Sequence, residues 1–272
     1  MTLEVQVLTS RKGSNPGGVC NIITPKRVVP SYVKYCPGSH LPRGSHLSAT
    51  NQPIYEVITN TLARSVGLNT TRTHILIDTE QNVRFAKFDG SKEGFGEGRR
   101  YYFVSELLQA QESENTELLS RIVHREKPYL DLLGICDVFD RRDNFFFYED
   151  GEGKIVYVDL GCNFVRAKEG WIEIKNRDKK ETRNRNHIKT ARKDISHYSV
   201  IHAQEGYKVS FARLVDSIPR IRIPTLNPDG NIAVSELLSL EEVSEIQDIL
   251  TIEMDIELRK HRKTYPQLVV RN

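Results

Sequence analysis

Between residues 139 and 164 the chain reads FDRRDNFFFYEDGEGKIVYVDLGCNF. The apolar runs FFFY and KIVYV are short and are joined by the turn-forming EDGEG, a pattern that predicts an antiparallel hairpin. A hairpin returns the chain to the end where it started. Asn144, just before the first strand, and Asp159, just after the second, are therefore expected at the same end. An acid closing an apolar run such as KIVYVDLG is costly unless it is paired or bound to a cation. Gly161 permits a sharp backbone turn directly after it. Polar residues gathered at one end of two apolar strands are either surface decoration or a site.

The remaining bounds narrow the class. A chain of 272 residues can build one large or two modest domains with a real core. Its 38% hydrophobic and 28% charged residues are those of a soluble globular protein. No apolar run approaches the roughly 18 residues that a membrane span needs, and MTLEVQVLTS lacks the basic and apolar regions of a secretory leader. Cys20, Cys36, Cys136 and Cys162 form no C-x-x-C pair, so reduced thiols and a cytoplasmic location are expected. A translocated effector acting in a host cytosol would look the same. There is no H-E-x-x-H or paired Cys/His spacing for zinc, and no G-x-S-x-G elbow.

Along the chain, residues 1–35 read as short strands around a Gly/Pro loop, ending in RVVPSYVKY with Lys34. Residues 36–52 are dense in Gly, Ser and Pro and read as a loop. A helix is expected over 53–66, with Pro53 near its start, Gly67 at its stop, and Ile54, Val57, Ile58, Leu62 and Val66 on one stripe. THILID and NVRFAKF predict strands, residues 90–98 a glycine-rich loop, and YYFVSELL a strand running into a helix. Helices are then expected at ENTELLSRIVH and KPYLDLLGICDVF, and over much of 208–218 and 233–262, interrupted by the hairpin.

That order suits a phosphotransferase, which needs a cation on the phosphates, carboxylate and amide ligands for a divalent metal, and a carboxylate beside the acceptor hydroxyl. FDRRDN and YVDLGCNF resemble the Asp-rich catalytic loop and the Asp-x-Gly strand end of atypical kinases, particularly HipA-type kinases and type II phosphatidylinositol 4-kinases. The resemblance implies that Asp140 is the catalytic carboxylate and that Asn144 and Asp159 bind metal. The gap from Asp140 to Asn144 is one residue shorter than in the usual loop, so either the loop is shorter or Asp137 or Asp143 takes part of the role. Lys34 stands where such kinases carry the phosphate-binding lysine. Glu56, in a segment E-x5-LA-x3-G-L, resembles the helical glutamate that holds it. Gly17 and Gly18, in the loop before the lysine strand, would cover the phosphates with backbone N–H groups, and the backbone around Ser105 and Glu106 would meet adenine.

The resemblance implies an α+β, bilobal protein-kinase-like fold. A small β-rich N-lobe with one helix spans 1–108, and a mostly helical C-lobe with the catalytic loop, metal-binding hairpin and basic segment spans 109–272. It further implies an ATP-dependent phosphotransferase that uses Mg²⁺ or Mn²⁺ and acts on a protein or on itself. The alternative is a catalytically weak module of kinase shape that binds nucleotide or phosphoinositide. Residues 175–193 add nine Lys or Arg against two acids. Lys175, Lys179, Lys180, Arg183 and Arg185 are candidates to hold an inositol polyphosphate, a phosphoinositide headgroup or an acidic protein by charge-assisted hydrogen bonds. Such a ligand would order the segment and activate the enzyme. Nucleic acid is not expected, because the aromatics needed for base stacking are nearly absent from the run, with only Trp171 nearby.

Overall fold

Alternation of apolar and polar residues builds the first part of the chain as strands with one buried face. The computed structural model describes residues 2–9, 17–36, 45–78, 82–86, 100–108, 116–135, 138, 145–148, 154–161, 165–168, 171–174 and 185–272. Strands β1 (Leu3–Val7), β2 (Gly17–Ile23) and β3 (Val28–Lys34) lead to helix α1 (Gln52–Ser65). β4 (Thr73–Ile77), β5 (Val83–Ala86) and β6 (Tyr101–Glu106) follow. The remainder comprises α2 (Thr116–Leu132), the hairpin β7 (Phe145–Tyr148) and β8 (Lys154–Tyr157), the hairpin β9 (Val165–Lys168) and β10 (Trp171–Ile174), and α3 (Arg185–Ser196). Then come β11 (Tyr198–Ile201), β12 (Lys208–Ser210), α4 (Phe211–Ser217), β13 (Ile223–Leu226), β14 (Ile232–Ser235), α5 (Leu240–Thr264) and β15 (Val269–Arg271).

Eight of these strands form one mixed sheet in the order β14-β13-β4-β6-β3-β2-β1-β5. The sheet is strongly curled. β5 and β6 are four strand positions apart, about 19 Å in a flat sheet at the usual spacing, yet the rings of Phe85 and Tyr102 lie 4.9 Å apart. The concave face closes over its own core of Val5, Ile22, Val33, Leu76, Phe85, Tyr102, Val104 and Leu226. The opposite face carries Ile75 and Phe103, which share a larger core with Ile54, Ile58 and Leu62 of α1 and with residues of α2 and α5. α1 begins with Pro53 in its first turn, where a missing N–H costs nothing. It stops at Gly67, whose φ of 90° suits glycine.

The second half departs from a mostly helical expectation. The sheet does not stop at residue 108: β13 pairs in parallel with β4, Thr225 opposite Ile75 and Leu226 opposite Leu76, and β14 pairs with β13. β11, β12 and β15 make a separate three-stranded sheet. YYFVSELL ends its strand at Glu106 without passing directly into a helix, and α2 runs unbroken through Pro128, where two helices were expected. Residues 185–193 of the basic run form the start of α3.

The predicted hairpin forms with Phe145 opposite Tyr157. β8 is tied to the segment that follows α1: Tyr157 N donates to Asn69 O at 2.9 Å, and Thr71 N donates to Tyr157 O at 3.1 Å. The Tyr157 hydroxyl donates to Glu126 Oε2 at 3.0 Å in a buried setting, and burial pushes the Glu126 carboxyl up despite Arg125 at 3.0 Å. Removing a donor from a buried carboxylate exposes its desolvation cost. Tyr157→Phe is expected to destabilise the protein by roughly 1–3 kcal/mol in urea unfolding, and Glu126→Gln in that background to recover part of the loss. An unchanged midpoint in the single variant would show that this bond does not hold the hairpin.

Candidate active site

Lys34 is the last residue of β3, and its side chain lies on the face that packs α1, opposite Phe103 across the β3–β6 pairing. Its ammonium sits over the Phe103 ring, 4.8 Å from the centroid. β2 reaches this point as glycine because nothing larger fits: a Cβ on Gly17 would lie 2.5 Å from Val33 O and 2.8 Å from Lys34 Cβ. Gly17 pairs with Lys34 and Gly18 with Val33. The loop residues before them, 10–16, lie outside the described residues.

From α1, Glu56 Oε2 lies 2.7 Å from Lys34 Nζ, with both side chains almost wholly buried at 3% and 6% exposure. Gln52, one turn earlier, donates from Nε2 to Glu56 Oε1 at 3.1 Å. Asn60, one turn later, donates to the Glu56 carbonyl at 2.9 Å. Gln52, Glu56 and Asn60 thus form a buried polar stripe at four-residue spacing on a helix whose other buried residues are, apart from Thr59, apolar or aromatic. Gln52 and Asn60 are functional candidates that the sequence reading passed over, although their spacing about Glu56 was visible.

The third group comes from the end of the hairpin. Asp159 Oδ1 accepts from Lys34 Nζ at 2.8 Å and from Gly161 N at 2.9 Å. Gly161 takes φ 63°, the left-handed conformation that lets its amide fold back on the carboxylate. Asp159 keeps 39% of its side chain exposed, so it forms the open side of a cluster that is closed around Lys34 and Glu56.

The charges are coupled. Burial alone would discharge Lys34, but Asp159 and Glu56 outweigh it and hold the ammonium protonated well above the ordinary lysine range. Burial raises the Glu56 carboxyl to about 7; Lys34 opposes the rise and Asp159 adds to it. The one cation is shared by two acids, of which Asp159 is the exposed one and faces outward. That suits a divalent cation of the magnesium type, which keeps waters and phosphate oxygens and takes only one or two protein carboxylates. Among the described residues no group of three or more His, Cys, Asp or Glu could hold a metal by itself.

Beyond Lys34 the same face of β2 and β3 is half open, with Val19 and Tyr32 partly exposed. The backbone donors at the end of β6 are used within the sheet: Glu106 N donates to Arg72 O at 3.1 Å and Leu107 N to Pro30 O at 3.0 Å. Ser105 is buried, its hydroxyl 2.8 Å from that of Thr71. The amide of Glu106, expected to meet adenine, is therefore occupied. Asp140, Asn144, Lys175, Lys179, Lys180 and Arg183 lie outside the described residues, as do Asp137 and Asp143; Arg185 begins α3.

No family model matches the chain, and no curated protein does. Among solved structures, the crystal structure of a Helicobacter pylori proinflammatory kinase, CtkA, is similar at 10% identity and a TM-score of 0.34, covering 97% of this chain and 94% of that one. A likeness of that size fixes neither fold nor activity.

The ion cluster predicts a pH signature. With its folded pKa raised to about 7, Glu56 binds its proton more tightly in the folded protein than in the unfolded chain. Its contribution to stability is therefore greatest below the unfolded carboxylate pKa and declines as pH rises toward 7. The raised Lys34 keeps its contribution through neutral pH and loses it only above the ordinary lysine range. Lys34→Met removes the group that keeps Glu56 ionised, so its destabilisation should be largest near pH 8. It should shrink by about 1–2 kcal/mol toward pH 5, as Glu56 is protonated. A penalty that does not vary with pH in chemical unfolding would show that Glu56 is not held by Lys34.

Proposed function

We propose that this chain is an atypical kinase: it binds ATP with a divalent cation and transfers the terminal phosphoryl group to a protein hydroxyl, on itself or on another chain. The observation that carries the reading is the single ammonium of Lys34 meeting Glu56 at 2.7 Å and Asp159 at 2.8 Å. The three come from a strand, a helix and a hairpin end, with Lys34 and Asp159 125 residues apart in the chain. A buried lysine clamped by two acids is an expensive arrangement for stability alone. It is economical where the lysine must be kept charged and aimed for a polyanionic substrate.

In this reading the nucleotide lies along the half-open face of β2 and β3, its base against Val19 and Tyr32. Lys34 turns from Asp159 to the phosphate oxygens while Glu56 continues to orient it. Asp159 and Asn144 would hold a magnesium or manganese ion, which neutralises phosphate charge during transfer. Asp140 accepts the proton of the acceptor hydroxyl, with Asp137 and Asp143 as the alternatives for that role. Gly17 and Gly18 bring the backbone close to the phosphates.

The test is transfer from labelled ATP in the presence of Mg²⁺ or Mn²⁺. Wild type should label itself or a protein acceptor, and Asp159→Ala should abolish the labelling. Lys34→Met should lower it by about a hundredfold or more. Thermal stabilisation by ATP and metal without any transfer would favour a nucleotide-binding module of the same shape. The absence of both stabilisation and transfer would overturn the reading.

A regulatory ligand belongs to the same proposal. Lys189 and Lys193 are exposed on α3 and continue the basic run of residues 175–185. An inositol polyphosphate or a phosphoinositide headgroup matches that charge. Wild type should gain thermal stability with an inositol polyphosphate, and the combined Lys179→Glu, Lys180→Glu, Arg183→Glu and Arg185→Glu variant should lose the gain. An equal shift in both proteins would remove this part of the proposal.

A further inference from the structure

We propose that the first two turns of α5 are a latch on α1, in which Glu242 and Glu245 fix the helix in the position where Glu56 reaches Lys34. The catalytic consequence of the latch rests on the kinase reading; its mechanical part does not.

The two oxygens of Glu242 serve two different elements. Oε2 accepts from Ser239 N at 3.0 Å, completing a capping box in which Ser239 Oγ accepts from Glu242 N at 3.2 Å. Oε1 faces α1, accepting from the Tyr55 hydroxyl at 2.7 Å and from Asn51 Nδ2 at 2.6 Å. The cap of α5 and the start of α1 are therefore held through one carboxylate, which is itself buried. Charge-assisted bonds of this kind are shorter and stronger than neutral ones.

Asn51 shows the direction of the arrangement. It is the N-cap residue of α1, yet its side chain makes no capping bond to its own helix. An asparagine at that position ordinarily closes on an amide of the first turn; here it reaches instead to a residue 191 positions away. Tyr55 is fully buried, and its hydroxyl also accepts from Ser48 N at 2.8 Å. Three residues along α5, Glu245 repeats the pattern on the segment entering α1: Oε1 accepts from Ser45 Oγ at 2.9 Å and Oε2 from His46 N at 2.6 Å.

Tyr55 and Glu56 are consecutive, so the helix is gripped on two sides at one level: Tyr55 by α5 and Glu56 by Lys34. A shift of α1 by one residue along its axis, about 1.5 Å, breaks both bonds together. Whatever loosens the start of α5 therefore also loosens the Glu56–Lys34 pair. Glu242, Glu245 and Tyr55 are positioning residues in this scheme, because they act on Lys34 only through Glu56.

The experiment reads Lys34 itself. Brief acylation with an amine-reactive ester, followed by mass spectrometry of the Lys34 peptide, is compared in wild type, Tyr55→Phe, Glu242→Gln and Glu56→Gln. Tyr55→Phe should raise Lys34 acylation about tenfold, the scale of one lost bond to a carboxylate. Glu242→Gln, which retains an oxygen for Tyr55, should raise it less. In phosphoryl transfer, Tyr55→Phe should lower kcat about tenfold with little change in nucleotide KM, and should have almost no further effect in the Glu56→Gln background. Unchanged acylation in Tyr55→Phe, or an equal loss of kcat in both backgrounds, overturns the latch. If wild type transfers no phosphate while Tyr55→Phe still exposes Lys34, the kinase reading fails and the latch stands. If transfer is robust and acylation is unmoved, the latch fails and the kinase reading stands.

Discussion

A buried ammonium shared by two carboxylates is the interaction on which the rest of this structure depends. Lys34 is almost inaccessible to water, and burial by itself would strip its proton. Glu56 and Asp159 prevent that, and in doing so they join a strand, a helix and a hairpin end at one point. β3 lies within the sheet with Lys34 on the face across which α1 packs, and the hairpin of β7 and β8 delivers its acid through the tie between Tyr157 and the segment after α1. Moving Lys34 away would leave Glu56 buried without its cation, the kind of defect that costs a core most.

The sequence announced these three residues unequally. Asp159 was the plainest, because an acid at the end of KIVYV followed by glycine has few comfortable explanations. Glu56 and Lys34 were visible through their order and through the helical stripe around the glutamate, since a 14-residue helix leaves a clear periodic trace. The turn at Gly161 and the helix stop at Gly67 followed from glycine chemistry, and both glycines have positive φ. Phe103 beneath the lysine was beyond reach, because only strand register places it there. The same holds for the occupied amide of Glu106, which donates across the sheet to a residue that no local pattern connects with it.

The second half was harder to read for a physical reason. Its strands are only three or four residues long, as in KVS, VVR, IPTL and IAVS. A run of that length completes at most two periods of alternation, and its apolar residues serve a helical stripe equally well. IPTL becomes a strand because β4 offers a parallel edge and the concave core has room for Leu226; the partner decides, not the segment. A helix over much of 233–262 was expected, and the capping box of Ser239 and Glu242 sets where it starts, but a second task for the glutamate, on a helix nearly two hundred residues earlier, leaves no local mark.

The joining of β13 to β4 and the grip of α5 on α1 impose an order of events at the ribosome. The lysine strand and its helix emerge early, and Ile223–Leu226 and Leu240–Thr264 are made well after them. Until those segments appear, one edge of the sheet is unpaired and α1 lacks its anchor, so the nascent N-terminal half is a set of parts without a closed structure. Such long-range closure slows folding. It also means that a product interrupted before α5 lacks the carboxylate that binds the Tyr55 hydroxyl, so the hold on the lysine-bearing half is acquired late in synthesis.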